Sequence, residues 1–491
     1  MKITLLKNLK YLVVIALITF FIWWPLLDMV LQWEGYMYLI PGNVYESTLR
    51  NIGTYASFFN LQGLILGALM TRVFGTQMEY YFAFEIGSIL ITNIAFFYLV
   101  KILLKNSFSA FLATIIFASN YFALADIHQP NLYSGVFLER LPINIPLLFT
   151  SFMLLHKYLE RNKLHFYVFS IVLYLFSIFI THFSIFFAFP FFLYPFFFRL
   201  QRSLKFKSSF SGMWTALPYI LIVLFFLFID NSSPVPKIGL FEFLSTPKIN
   251  RYPEAIVRQL VSISQFPIVI KALLSGSPPL AFNTPHELTS LILPTLIVYT
   301  AGFMFVYVKN ERHRALLFTI LCATLAMFFL NTFIATRLNV LEDAGSNRYF
   351  FVPSILVSVF WALVLTTVFA KKYIVTIAIT LVFFVVNEIT FRQHFMEVLK
   401  STGRTQAIIY YISQNITRFP QKSLIIVGPS SDFGPYEANF FTYHIGRDKN
   451  ITFKTEDVGY SDWPPLASSA GHLIYLNYEK KCHCVHQKIV K

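Results

Sequence analysis

Residues 11–33, YLVVIALITFFIWWPLLDMVLQW, form a long apolar run broken only near its end by Pro25, Asp28 and Gln32 and closed by the aromatic-acidic segment Trp33-Glu34-Gly35-Tyr36. A run of about 20 such residues is what a helix needs to cross a hydrocarbon core of about 30 Å. Lys2, Lys7 and Lys10 precede it. The run lacks a small-residue cleavage site and exceeds a signal-peptide core, so it reads as a retained helix with its N-terminus inside. Similar runs follow near 81–104, 107–125, 141–156, 164–180, 183–198, 212–230, 288–308, 315–335, 349–370 and 373–389. Composition agrees: 56% of residues are hydrophobic and 13% charged, against about 25% charged in a soluble domain. The expected fold class is an all-α polytopic membrane protein of about eleven transmembrane helices with a small external α/β C-terminal appendage.

The net charge of +15 is distributed in short clusters between apolar runs, not along one basic face, which points to membrane topology and away from nucleic acid. With the N-terminus inside, alternate loops should carry the positive charge. Lys101 and Lys105, then Lys157, Arg161 and Lys163, then Arg199, Arg202, Lys205 and Lys207, then Lys309, Arg312 and Arg314, then Lys371 and Lys372 all fall on that side. The other side carries Asp126, Glu139, Glu342 and Asp343, and an odd number of spans places the C-terminus outside, in a bacterial-type plasma (inner) membrane.

Two expected external loops are long, 34–80 and 231–287, and together with the spans they form a membrane domain over 1–398. In the first loop Leu61, Ile65, Leu69 and Val73 recur at helical spacing before Phe74-Gly75, the pattern of a helix lying along the membrane surface. The second mixes eight prolines with the apolar stretch 256–274, as a loop plugged back against the membrane would. Residues 399–491 turn polar, with a helix expected near 402–417 and strands at 423–427 and 472–476. Cys482 and Cys484 stand beside His483 and His486. Their C-x-C spacing is tighter than the C-x₂₋₄-C of structural zinc sites, so a disordered, reactive tail is the simpler reading.

Ionisable groups in or beside a span are costly and mark candidate sites. Glu34, behind a helix interrupted by Pro25, has the place of a general base, with Asp28 as its rival nearer the membrane core. Asp126 and His128, two residues apart, can offer oxygen and imidazole ligands to one divalent ion such as Mg or Mn. Arg348 beside Tyr349 offers planar, bidentate recognition of phosphate at headgroup level, and Arg140 and His182 join them as substrate-binding candidates. Glu85, inside the second run, reads as a packing or pairing residue.

The order of these features resembles the GT-C superfamily of membrane glycosyltransferases, especially bacterial proteins similar to protein O-mannosyltransferases. The resemblance rests on Glu34 after the first span and on Leu61 through Phe74-Gly75. It continues with Ala110-Phe111-Leu112-Ala113 and Phe117-Ala118 in the third run, and Asp126 in the turn after it. Thr181-His182 through Phe189-Pro190 and the Arg348-Tyr349-Phe350-Phe351-Val352-Pro353 start of a late span complete it. It covers about residues 10–370 and implies transfer of a sugar from a polyprenyl-phosphate donor to an acceptor protein, lipid or glycan on the external face. A carboxylate base on the face opposite the leaving phosphate would give inversion.

This chain departs from its look-alikes in having Glu34 alone where they often show paired acids, and His182-Phe183 where they show a Lys-Glu pair. Two alternatives follow: a transporter or flippase of lipid-linked glycans, and a catalytically silent scaffold of the same fold. Transporters often carry paired halves with broken helices at matching positions. No such internal repeat is visible in the sequence.

Overall fold

The computed structural model describes residues 2–28, 66, 69–70, 72–74, 78–119, 143–203, 206–230, 256, 259–260, 285–337, 351–370, 372–428, 438, 441–442, 449–455, 471–479 and 484–489. The chain is mostly helical with a small C-terminal sheet. Among the described residues there are eleven α-helices, one on each apolar run: α1 (Lys2–Trp23), α2 (Met78–Leu104), α3 (Ser107–Ala118), α4 (Asn144–Arg161), α5 (Leu164–Ile180), α6 (Ala188–Ser203), α7 (Phe206–Asp230), α8 (Pro285–Lys309), α9 (Arg314–Arg337), α10 (Phe351–Val368) and α11 (Tyr373–Asn415). Two helical stretches among the described residues, Glu79–Leu104 and Glu311–Leu330, are long and apolar enough to cross a membrane. Seven further apolar stretches are 10–17 residues long.

Local chemistry sets the tight connections. Asn106 caps α3, its side-chain oxygen accepting from the amides of Phe108 at 2.9 Å and Ser109 at 3.3 Å. Asn162, at φ 52°, takes the left-handed conformation that ends α4, and its amide donates to the Tyr158 carbonyl. That allows α5 to return at once. The expected helix over 183–198 starts later, because His182–Phe187 forms a 3-10 turn and α6 begins at Ala188.

Packing inverts the pattern of a soluble helix. On α5, Ser170, Tyr174 and Ser177 are fully buried, whereas Val168, Phe169, Val172 and Phe176 are about half exposed or more. One inward-facing group satisfies its neighbours: Ser151 and Ser170 each donate to the other's backbone carbonyl at 2.7 Å, and Tyr219 of α7 meets Ser170 Oγ at 2.7 Å, while the Tyr174 and Ser177 hydroxyls have no hydrogen-bond partner among the described residues. Asn93 likewise donates to Thr19 at 2.9 Å, joining α2 to α1. Side-chain hydrogen bonds and small residues are what hold helices together when the surrounding solvent is itself apolar. Gly212 supplies the small residue between α6 and α7, since a Cβ there would lie 2.6 Å from the Pro195 carbonyl oxygen.

The surface stretch 61–73 falls largely outside the described residues. Its described part is helical, with Leu66 and Met70 buried and Leu69 and Val73 exposed. Of the second long loop, 231–287, the described residues are 256, 259–260 and 285–287.

The basic loops meet at one end of the helix bundle. Lys105 pairs with Glu160 at 2.5 Å, Ser107 donates to Asn8, Arg202 donates to the Leu159 carbonyl, and Gln201 binds both the Glu311 carbonyl and the Ala315 amide. Phe108 rests edge-on against Tyr373. These contacts tie the α2–α3, α4–α5, α6–α7, α8–α9 and α10–α11 ends to the start of α1.

The C-terminal part departs from expectation in two places. The helix expected near 402–417 is not separate: α11 is one helix of 43 residues that begins at the basic end and runs through the 398/399 boundary into the appendage. The tail around Cys484 is not disordered but forms a strand. Strands β1 (Ser423–Val427), β2 (Thr452–Thr455), β3 (His472–Glu479) and β4 (Cys484–Ile489) make a sheet in the order β2-β1-β3-β4. The pairs β1–β2 and β1–β3 are parallel and β3–β4 is antiparallel. Central β1 is buried throughout, as a strand in a parallel sheet covered on both faces must be. The sheet is fastened to α11 by Tyr411 donating to Gln487 and by Lys449 Nζ donating to the carbonyls of Ile416 and Thr417.

Candidate functional site

Of the residues singled out in the sequence, Glu34, Asp126, His128, Arg140, Arg348 and Tyr349 lie outside the described residues. Asp28 closes a 3-10 turn (Trp24–Asp28) that continues α1, and His182 opens the turn before α6. Both turns stand at the end of the bundle opposite the basic loops. The Trp24–Asp28 turn packs on α2, and the His182–Phe187 turn is held at the start of α4. There Ser184 Oγ lies 2.8 Å from Asn144 Oδ1 and 2.9 Å from the Ser177 carbonyl.

The Asp28-bearing turn is braced from α11. Arg392 forms an ion pair with Glu388 at 2.5 Å and donates at 2.6 Å to the carbonyl of Phe21 in the last turn of α1. A cation on a C-terminal carbonyl both completes that group's hydrogen bonding and complements the helix dipole. Trp23 packs edge-on against Phe391 next to it. Sequence reasoning passed over this pair because 388 and 392 lie where the composition turns polar.

Glu85 is the second residue the sequence undervalued. It sits two turns into α2 with 1% of its surface exposed, and neither carboxylate oxygen has a hydrogen-bond partner, so it packs but does not pair. Ser88 and Thr92 follow at i+3 and i+7, both buried; Ser88 donates to the Phe84 carbonyl, while the Thr92 hydroxyl is unpartnered. Further along the same face, Phe96, Leu99 and Leu103 line a small apolar cavity of about 50 Å³ closed by Phe149, Phe187 and Phe191. A buried carboxylate with no partner costs several kcal/mol in order of magnitude, which makes Glu85 a candidate functional residue. The available signal was its polar stripe, visible only once α2 is known to bury that face.

One group of described residues could hold a metal ion. Glu479, at the end of β3, and Cys484 and His486, on β4, each place a ligand atom within 4.8 Å of the others. His486 Nε2 lies 2.8 Å from Glu479 Oε2 and 3.3 Å from Cys484 Sγ. Cys484 is disulfide-bonded in this structure, so the full set of thiolate, imidazole and carboxylate requires reduction. That set suits a zinc-like ion, whereas Mg and Mn prefer all-oxygen or oxygen-rich sites.

Comparison with protein-family models and with curated proteins finds no match.

Proposed function

We propose that this chain is a GT-C-type membrane glycosyltransferase that moves a sugar from a polyprenyl-phosphate donor to an acceptor on the external face of a bacterial-type plasma membrane. The observation that carries the reading is the separation of charge along the bundle: the described basic loops meet at one end, and the Asp28 and His182 turns stand at the other. The apolar outer faces of α1, α5, α7, α8, α9 and the first half of α11 support the reading of those helices as spans. The last helix leads from the basic end into the sheet domain. A disulfide in that domain suits an oxidising external compartment.

In this reading Glu34, with Asp28 as its rival, takes the proton from the acceptor hydroxyl or amide as the acceptor attacks the anomeric carbon. The phosphate leaves from the opposite face, and the sugar inverts. Arg348 with Tyr349, together with Arg140 and His182, holds the donor's phosphate and sugar in place. A divalent ion at Asp126 and His128 would offset charge on the leaving phosphate. Arg392 and Glu388 act at one remove, fixing the turn that carries Asp28.

The test is turnover of polyprenyl-phosphate sugars by purified protein in proteoliposomes, comparing wild type with Glu34→Ala and Asp28→Ala. Loss of turnover on Glu34→Ala alone supports the assignment, and unchanged turnover in both variants removes the general base. Glu85 favours a second reading, because unpaired carboxylates inside spans often line transport pathways. Movement of a lipid-linked glycan across the bilayer without cleavage of the donor would select that transporter.

A further inference from the structure

Strand pairing gathers three unlike metal-binding groups at the edge of the sheet. Strands β3 and β4 run antiparallel with Glu479 opposite Cys484 and Asn477 opposite His486. Residues opposite each other across such a pair share a face, as do residues two apart along one strand. Glu479, Cys484 and His486 therefore project from one side. Val485 and Gln487, of the other parity, meet the core and Tyr411 of α11. The three groups are thus turned away from the helix, and the Glu479 and His486 side chains are 51% and 61% exposed, which leaves an ion an open path.

One imidazole nitrogen faces both neighbours. His486 Nε2 lies 2.8 Å from Glu479 Oε2 and 3.3 Å from Cys484 Sγ. A surface ion pair explains the first contact and leaves the second to explain. A hydrogen-bond relay would use both ring nitrogens, whereas convergence on Nε2 is what ligands aimed at one point show. Tetrahedral zinc, with Zn–S about 2.3 Å and Zn–N about 2.0 Å, holds its sulfur and nitrogen about 3.5 Å apart, close to the spacing found here. The charges also suit it. A thiolate and a carboxylate balance a dication, a neutral imidazole is the third ligand, and the fourth position is left to water.

What withholds the site is covalent, because Cys484 is disulfide-bonded and only a thiolate is a strong ligand. We propose that the β3–β4 hairpin is a redox-gated site for a zinc-like dication, closed in the disulfide state and opened when a dithiol reduces that bond. Two electrons and two protons pass from the dithiol, which becomes a disulfide, and the Cys484 thiol releases its proton as its sulfur takes the ion. The site lies in the sheet domain and is independent of the sugar-transfer reading.

The experiment uses the full chain in detergent with Cys322→Ser, which removes the thiol of α9, before and after reduction by a phosphine. Zn²⁺ affinity is read by competition with a chromophoric chelator, and Co²⁺ serves as a spectroscopic stand-in. The reduced chain should hold one Zn²⁺ at least about tenfold more tightly than the disulfide form and show a thiolate-to-cobalt charge-transfer band. Cys484→Ser should lose the band, and His486→Ala and Glu479→Gln should each weaken Zn²⁺ binding by about tenfold or more. Cys484→His should bind Zn²⁺ without reduction and without the band, which shows that loss in Cys484→Ser is not misfolding. No Zn²⁺ on the reduced chain, equal affinity in the two redox states, or a cobalt band that survives Cys484→Ser overturns the proposal.

Discussion

A carboxylate buried on a helix face beside Ile86 and Ile89 without a partner weakens the fold, so Glu85 makes a test in which stability and function move in opposite directions. Glu85→Leu should raise the unfolding midpoint in detergent by an amount equivalent to about 1–3 kcal/mol while lowering turnover or transport. A lower midpoint would mean that the carboxylate is held by a favourable contact. Glu160 and His313 share the pH dependence at the basic end, where burial and the Arg312 charge hold the His313 pKa down to about 4. Burial raises the Glu160 pKa, but the Lys105 hydrogen bond and the charges of His156, Lys105 and Arg202 outweigh burial and leave it below its ordinary value of 4.5. A depressed carboxylate stabilises the fold above its unfolded pKa, and that contribution is lost as pH falls through the folded value. Midpoints measured from pH 7 to pH 3 should therefore fall in two stages, between pH 6.5 and 4 as half-buried His313 must charge and below pH 4.5 as Glu160 protonates, and only the second stage should be less steep in Glu160→Gln. Parallel profiles would remove Glu160 from the account.

Helices were legible because long apolar runs favour helix, and each run carries an α-helix among the described residues, although only two described stretches are long and apolar enough to cross a membrane. Their ends were less so. Nothing in the composition around residues 389–403 shows that α11 continues, because a polar surface changes the solvent a helix meets without breaking its backbone hydrogen bonds. Gly403 is tolerated there, and after it the next residue unable to donate is Pro420. Strand β4 was hidden for a different reason: Cys-Val-His-Gln-Lys-Ile has no clean alternation, and its order comes from pairing with β3, a partner the local sequence does not reveal. Between elements, the crossing of α6 and α7 depends on Gly212. Gly212→Ala should cost about 1–3 kcal/mol, since the added carbon meets backbone atoms of Pro195 and Phe196 at 2.6–2.9 Å and not a flexible side-chain tip. Thermal unfolding in detergent checks this, and a change below about 0.5 kcal/mol would mean that the helices separate freely.

For the whole molecule, the gathering of five basic connections at one end turns a charge rule into a geometric expectation. Reporters fused at residues 206 and 491 should report opposite sides of the membrane, 206 inside and 491 outside. The same side for both would undo the reading of alternate spans. The sequence offered candidates for the site only as a list of acids and bases at loop ends, conspicuous against apolar runs, and six of those eight residues lie outside the described residues. Their mutual placement was not legible, since it depends on how helices distant in sequence assemble.

Helix α11 also has a mechanical consequence. At about 1.5 Å per residue it is roughly 65 Å long, about twice the thickness of a hydrocarbon core. The part beyond Ile389 is an arm of about 39 Å, with the sheet bolted to its tip by Tyr411, Lys449 and their partners. A tilt of about 10° in the segment that Arg392 clamps to α1 swings that tip by about 7 Å. The Arg392 contact with the Phe21 carbonyl thus lies at the root of a lever, where a small rotation of α11 against α1 would be multiplied at the sheet.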